Sequence, residues 1–445
     1  MIRILALFFF VLFFQKEYFG QPGPCSLNGS YDSVSNSCLC DEGWTGPECN
    51  VLDVREAMLE TGFAPLQTDA WGAAVLKDEA TGIYHMWVSV IDGNCDIEYW
   101  ARNSKVVHAT SNSPAGPYAV VGDAFPVMAH AVDVKRGPGG NWVAFLTAGV
   151  TADGQLGPSE YGPPCSCEPS TQQPPGDCVS ENSEAATVVC TATSPDGPWS
   201  DPLVLLNPSE LADGIDANFS AAVAQDGSLV GLWRTYPSGS QMHWVMATDY
   251  LDPTTYVWQN DEMPLFEAPY DGLTPEGVED PFVWYDPIRQ TWHAIMHNMT
   301  PVNGANEFYD GLAHAWSADG QIWTWTGEAA GAMVQFADGT STYSARARPH
   351  LILEEGRITH LISAEQFDVN DWSYVLIEPV GDPLEDPVDS ECPDSAIMAL
   401  ACDLGTVWNP ENCRCIVALP GDADFDGCIS VSDVLVLLGQ FGSCQ

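Results

Sequence analysis

The sequence predicts a mainly β fold, a five-bladed β-propeller flanked by small disulfide-rich modules. Three observations carry this. Five segments between residues 55 and 380 repeat one pattern: a polar start, an apolar strand, a turn, and a second apolar strand coming back. Repetition of short strands at a long period is the signature of a propeller, in which each repeat is one small antiparallel sheet. The chain has 39 Gly, 33 Pro and 16 Trp and no sustained helical periodicity, which favours short strands and tight turns. Its 15 cysteines fall into groups at the start, middle and end, the mark of stapled modules in an oxidising compartment.

Taken in order, the chain opens MIRILALFFFVLFF, with a cation at Arg3 and an apolar run from Ile4 to Phe14. A membrane span needs roughly 17–25 apolar residues, so residues 1–20 are expected to be a secretory signal peptide and the protein to be secreted. No later segment is apolar enough to span a bilayer. With 14 Lys+Arg against 61 Asp+Glu, the net charge is −47, which repels nucleic acid and anionic membranes. Such a surface suits high ionic strength, where screening shortens the reach of its self-repulsion.

Residues 21–50 contain CSLNGSYDSVSNSCLCDEGWTGPEC, too short to bury a core without cross-links. The C-x-C-x8-C ending with an internal Gly-Trp-x-Gly resembles the second half of an EGF-like module. That resemblance implies disulfides Cys40–Cys49 and Cys25–Cys38, and a role as spacer or contact surface. The middle group, Cys95, Cys165, Cys167, Cys178 and Cys190, is odd in number, so one thiol there is free or pairs across modules.

Residues 55–380 carry the repeats. They start at Asp69 (DAWGAAVLKDEATGIYHMWVSV), His130 (HAVDVKRGPGGNWVAFLTAG), Asp216 (DANFSAAVAQDGSLVGLWR), Glu279 (EDPFVWYDPIRQTWHAIMH) and Arg346 (RARPHLILEEGRITHLI). A second motif recurs between them: ATSNSPAGPY, TATSPDGPW and, more loosely, AWSADGQIWTW. Innermost strands of a propeller line a central funnel, so the residues that open them are expected to converge although they are distant in sequence. Ionisable groups gathered there are costly to desolvate unless paired, and persist best where function requires them.

At the fourth repeat, VEDPFVWYDPIRQTWHAIMH resembles the Glu-Gly-Pro strand of family-43-type glycoside hydrolases, which are five-bladed propellers; the SPAGPY and SPDGPW segments are similar to outer strands of that clan. The resemblance implies a general base at Asp69, a carboxylate tuning the acid at Asp216, and a general acid at Glu279. It implies inverting hydrolysis of a plant or algal poly- or oligosaccharide, with no cofactor needed for catalysis. One carboxyl must then be protonated and one ionised, about 6.5–9.5 Å apart, and a nearby anion such as Asp216 or Asp280 would raise the acid's pKa. The chain departs from the pattern in Asp69-Ala70 and Asp216-Ala217, where the family has Asp-Pro, and in Asp280, where it has Gly. Neighbouring strand residues point to opposite faces, so Glu279 and Asp280 are not expected to enter the funnel together; if Asp280 points inward, the acid assignment moves by one residue. Arg346, Arg348, His130, His297, His350 and Trp71 are the candidate sugar contacts, the histidines also being candidates for holding a metal or water at the axis. For each, salt bridging or core packing is the competing reading. A non-catalytic carbohydrate-binding or adhesion protein on the same propeller is the alternative function.

Residues 391–415 read as a Cys-rich linker, and 416–445 contain GDADFDGCISVSDVLVLLGQFG. Asp422, Asp424, Asp426 and Asp433 stand at positions 1, 3, 5 and 12 of an EF-hand-type loop, with Gly427 at the sharp turn; alternating carboxylates of this kind wrap Ca2+. The loop resembles one half of a dockerin, which implies attachment to a scaffold or cell surface.

Overall fold

The computed structural model describes residues 24–58, 61–64, 68–92, 97, 100–151, 154–157, 185–206, 218–235, 241–259, 265, 277–298, 300–302, 307–309, 311–343, 346–365, 372–381, 406–409 and 414–417. The segments expected to be the signal peptide and the calcium loop lie outside these residues. The chain divides into two compact units, 1–383 and 384–445. In the second, the described part is one hairpin, Thr406–Asn409 with Arg414–Val417. No helix among the described residues is long and apolar enough to cross a membrane.

In the first unit, five antiparallel sheets form the blades, and the described residues add four two-stranded sheets outside them. Blade one is β1 (Ala70–Lys77), β2 (Tyr84–Ile91), β3 (Ser104–Ser111) and β4 (Ala119–Phe125). Blade two is β5 (Ala129–Arg136), β6 (Trp142–Gly149), β7 (Ala185–Ala192) and β8 (Leu203–Leu206). Blade three is β9 (Ser220–Val223), β10 (Leu229–Thr235), β11 (Gln241–Ala247) and β12 (Val257–Trp258). Blade four is β13 (Val278–Asp286), β14 (Thr291–Asn298), β15 (Gly311–Ser317) and β16 (Trp323–Gly331). Blade five is β17 (Ala347–Glu354), β18 (Arg357–Glu365) and β19 (Tyr374–Pro379). The inner strands β1, β5, β9, β13 and β17 each contact the next, and β17 contacts β1, so the ring closes at five.

Blade five has three strands of its own, and the chain preceding blade one supplies the missing edge. Val54 bridges Val380 and Phe63 bridges Val375, with Arg55 N donating to Pro379 O and Gly381 N to Asp53 O. The bare edge of β19 is thereby covered, and the ends of the repeat region are tied together.

Strands buried on both faces are largely apolar, with His85 and Ser89 in β2 and Thr147 in β6 as buried polar exceptions. All eight residues of β2 and of β6 are buried, as expected where each sheet is packed between two others. The core consists of clusters between successive blades, such as Trp87, Trp142, Val134 and Val188 between blades one and two. Cys190, on β7, is a free thiol, and burial pushes its pKa up to about 12, which leaves it inert.

The N-terminal module has disulfides Cys25–Cys38 and Cys40–Cys49, with S–S 2.11 and 2.04 Å. It is docked against the propeller. Trp44 joins the cluster formed by Trp284, Ile295 and Leu361 of blades four and five. Arg289 forks onto Asp41 at 2.6–2.9 Å, Arg357 meets Glu42 at 2.6 Å, and Asn50 Nδ2 donates to Thr326 O and Glu328 O.

Candidate active site

The inner strands open with one shared device. The register slips between Ala70 and Ala73, between Glu279 and Phe282, and between Ala347 and His350, each time by a bulge. Blade two slips opposite Phe145–Thr147. A residue with left-handed φ marks each of these four places, Gly72 (79°), Ala131 (54°), Asp280 (52°) and Arg348 (49°), and in blade three, where the register does not slip, Asn218 (40°) takes the same conformation just ahead of β9. Asp and Asn tolerate this conformation better than most residues and Gly best of all. At Gly72 the space is also closed, because an added Cβ would lie 2.8 Å from Arg348 Cβ.

These five residues ring a cavity of about 40 Å³ at the hub, which is room for a water or a hydroxyl. Asp280 is its polar centre. Asn218 Nδ2 donates to Oδ1 at 2.5 Å, Arg348 N donates to Oδ2 at 3.2 Å, and Arg348 Nε lies 3.2 Å from Oδ1. Burial raises the Asp280 pKa, Arg348 pulls it down and Glu279 raises it again, leaving it at about 6. Glu279 turns toward blade three and β14. Its carboxylate accepts from Arg234 Nη1, and His297 Nδ1 lies 3.4 Å away. Burial pushes its pKa up, but the adjacent His297 and the charge of Arg234 outweigh it and hold Glu279 below the usual range.

Glu279, Asp280 and His297 each offer a ligand atom within 4.8 Å of the others. Strand alternation would send the two carboxylates to opposite faces; the bulge at Asp280 breaks that alternation, and both join one network. Two arginines are interleaved with it, so the anionic charge is matched by the protein itself.

Below this layer the axis is filled. Asp133 of blade two accepts from Ser220 Oγ at 2.7 Å and pairs with His350 Nε2 at 3.0 Å and Lys135 Nζ at 3.1 Å. Lys135 also donates to Val283 O and lies 3.6 Å over the ring of Phe282. His350 and Asp133 thus fill the axis and also line the hub cavity beside Asp280 and Arg348.

The other expected site residues are placed differently. Asp69 is buried, and its Oδ1 accepts from Ser373 N at 2.5 Å and Ser373 Oγ at 2.6 Å, just ahead of β19 in blade five. Asp216 lies outside the described residues. Arg346 forms a buried pair with Glu378 and donates to Gly331 O and Met333 O, in the seam between blades four and five. His130 is bonded to Ser104 Oγ at 2.8 Å and packs against Trp100. Trp71 is half-buried beside Gly72. Arg348 and His297 are the expected contacts that the hub does bring to the carboxylate pair.

Sequence reading missed Arg234, Asn218, Asp133, Lys135 and Glu365. Arg234 and Lys135 could have been found as cations inside apolar strands of a chain with only 14 Lys+Arg. Glu365 ends β18 fully buried; Oε1 accepts from Ser363 Oγ at 2.5 Å, and Oε2 has no partner among the described residues. Burial pushes its pKa up to about 7, against the pull of Arg346.

A Teneurin-like EGF domain model matches residues 22–52. No curated protein matches the chain in sequence. Among solved structures, the chain is similar to a thermostable family-43 glycoside hydrolase (12% identity, 74% of this chain and 97% of that one, TM-score 0.47). It is also similar to a family 117 glycoside hydrolase produced by the marine bacterium Zobellia galactanivorans (10%, 78% and 97%, 0.44). A third similar structure is the GH43_1 enzyme from Xanthomonas citri complexed with xylose (10%, 73% and 92%, 0.44).

Proposed function

We propose that the propeller is a secreted glycoside hydrolase-like protein whose hub takes a plant or algal poly- or oligosaccharide. The observation that carries this is the opposed bias of two neighbouring carboxyls, Glu279 held ionised by Arg234 and His297, and Asp280 pushed up to about 6. Glycosidic cleavage asks for one ionised and one protonated carboxyl. On this reading the acid assignment moves from Glu279 to Asp280, and Glu279 serves as the ionised partner. Arg348 and Arg234 supply donors that suit sugar hydroxyls or an acidic sugar.

The pair does not by itself make an inverting site. Its nearest oxygens lie within 4.8 Å, short of the roughly 6.5–9.5 Å that leaves room for water. A distant base is still required, for which Asp69, whose Oδ1 holds Ser373, and Asp216 are the candidates. The contacts of the pair favour a second reading, a binding propeller without turnover: Asp280 has hydrogen-bond donors on both oxygens and Glu279 is locked to a guanidinium.

Aryl arabinofuranosides, xylosides and galactosides, tested with the wild type and with Glu279→Gln and Asp280→Asn, separate the readings. Turnover that falls at least 10²-fold in both variants is expected. Turnover unchanged in both sinks these assignments, and binding of oligosaccharide without turnover supports the second reading. The closed disulfides of the N-terminal module fit an exported chain. Calcium binding by Asp422, Asp424, Asp426 and Asp433, and attachment through that segment, are proposed from the loop pattern; calorimetry on the full chain with and without Asp424→Asn tests them.

A further inference from the structure

Blades one and four carry the same histidine pair. His85 Nδ1 on β2 meets His108 Nε2 on β3 at 2.9 Å, and His293 Nδ1 on β14 meets His314 Nε2 on β15 at 3.0 Å. The registers agree: Leu76 pairs with His85 as Trp284 does with His293, and Trp87 with His108 as Ile295 does with His314.

In blade four the chain of rings ends on hydroxyls at both sides, Thr291 Oγ1 at 3.0 Å and Thr326 Oγ1 at 2.7 Å. It is closed, neutral and buried, and nothing more than packing is needed to explain it. Thr326 sits where β16 slips its register against β15. Blade one slips at the same place, but the residue there is Val121, 58% exposed and without a polar atom.

His108 Nδ1 faces a carboxylate from the neighbouring blade instead. Asp196 Oδ1, in the turn between β7 and β8, lies 3.4 Å away. That is long for a hydrogen bond, which spans about 2.7–3.2 Å. It is close to the roughly 3.3–3.5 Å between two ligands on a tetrahedral ion with arms of about 2.0–2.2 Å. Both residues line a cavity of about 580 Å³ that also carries Asp123 and Asp201. His85, His108 and Asp196 each offer a ligand atom within 4.8 Å of the others. The hub cluster meets the same distance test, but Arg234 and Arg348 already neutralise it.

We propose that His108 Nδ1 and Asp196 bind a divalent transition metal of the zinc class at this cavity between blades one and two. His85 Nδ1 accepts from His108 Nε2–H, fixing the tautomer that leaves Nδ1 free to ligate. Imidazole selects zinc-class ions over calcium and magnesium, Asp201 adds negative charge to the cavity whereas Asp123 is shared with Lys105 at 3.3 Å, and water from the cavity completes the coordination.

The test is a cobalt titration of the metal-stripped full-length chain, read by visible absorption, with calcium in excess to fill oxygen-only sites. One cobalt per chain is expected. Asp196→Asn, at an exposed position that leaves the fold intact, weakens it at least about tenfold. Val121→Thr, which gives blade one the hydroxyl that closes blade four, weakens it as well without replacing a ligand residue. No cobalt bound below millimolar concentration, or cobalt bound equally well by Asp196→Asn, overturns the proposal. Thermal unfolding of each variant, unchanged from the wild type, shows that a loss is local.

Discussion

At Glu279 and Asp280, two adjacent carboxyls with nearly equal intrinsic acidity are driven apart by what surrounds them. Arg234 and His297 stabilise the Glu279 anion, whereas Asp280 is further buried and feels its neighbour's charge. Glu365 is the third acid of this kind, buried with one oxygen that has no partner among the described residues. Because its folded pKa is raised to about 7, the folded state holds a proton that the unfolded chain has released near pH 4 to 5. Between those values stability falls as pH rises, and the loss is complete above the folded pKa. A Glu365→Gln variant removes the penalty. Its unfolding free energy at about pH 8 is expected to rise by on the order of 1–3 kcal/mol, with little change at about pH 5. Equal effects at both pH values in denaturant melts would show that Glu365 is already ionised in the fold. None of this was visible in sequence, because Glu365 lies on a second strand and carries no motif.

The strand openings show what a repeat can and cannot reveal. Polar starts followed by apolar runs identify the blades, and five is the number found. Aligning the repeats on those starts groups Asp69, His130, Asp216, Glu279 and Arg346. Aligning them on the left-handed residue groups Gly72, Ala131, Asn218, Asp280 and Arg348 instead. Relative to that residue, Glu279 and His130 stand one place back, Arg346 two and Asp69 three. Side-chain direction alternates along a strand and a bulge resets it, so an offset of up to three residues decides whether a carboxylate reaches the hub or, like Asp69, a neighbouring blade. A bulge leaves no clear mark in composition when Ala or Arg occupies it, which is why Arg348 was legible as a site residue and its conformation was not. Gly72 is the position that tests the device. Gly72→Ala forces a Cβ into a left-handed conformation, a cost of roughly 1–2 kcal/mol, and presses it on Arg348 Cβ at 2.8 Å. Lower stability and a displaced Arg348 are expected together, read by thermal unfolding and by weaker oligosaccharide binding. Unchanged binding in a destabilised variant would detach Arg348 from recognition.

For the whole molecule, the balance of buried titrating groups sets where the ring is most stable. Burial lowers the pKa of His85, His314 and His350, of His108 and His360 to about 4, and of His293 to about 3. A histidine lowered in the fold stays neutral there while the unfolded chain takes up its proton below about 6.5. The unfolded state then binds more protons, and stability rises with pH across the interval from roughly 4 to 6.5. Asp280 and Glu365 oppose this, because their protons are held by the fold up to about 6 and 7. Six groups work against two, so the histidines win below about pH 6, and the two acids together with the general negative charge act above about pH 7. A maximum near pH 6.5–7 follows, with a steep acid limb. The charge of −47 adds a separate lever, since raising salt from about 0.1 to 1 M shortens the screening length from about 10 to 3 Å and relieves self-repulsion. Denaturant melts across pH at two salt concentrations check both effects. Salt is expected to lift the alkaline limb, where the net charge is largest, and to leave the acid limb nearly unmoved, because buried imidazoles are poorly screened. An acid limb that shifts with salt as strongly as the alkaline one would mean that surface charge, and not the buried rings, governs the loss at low pH.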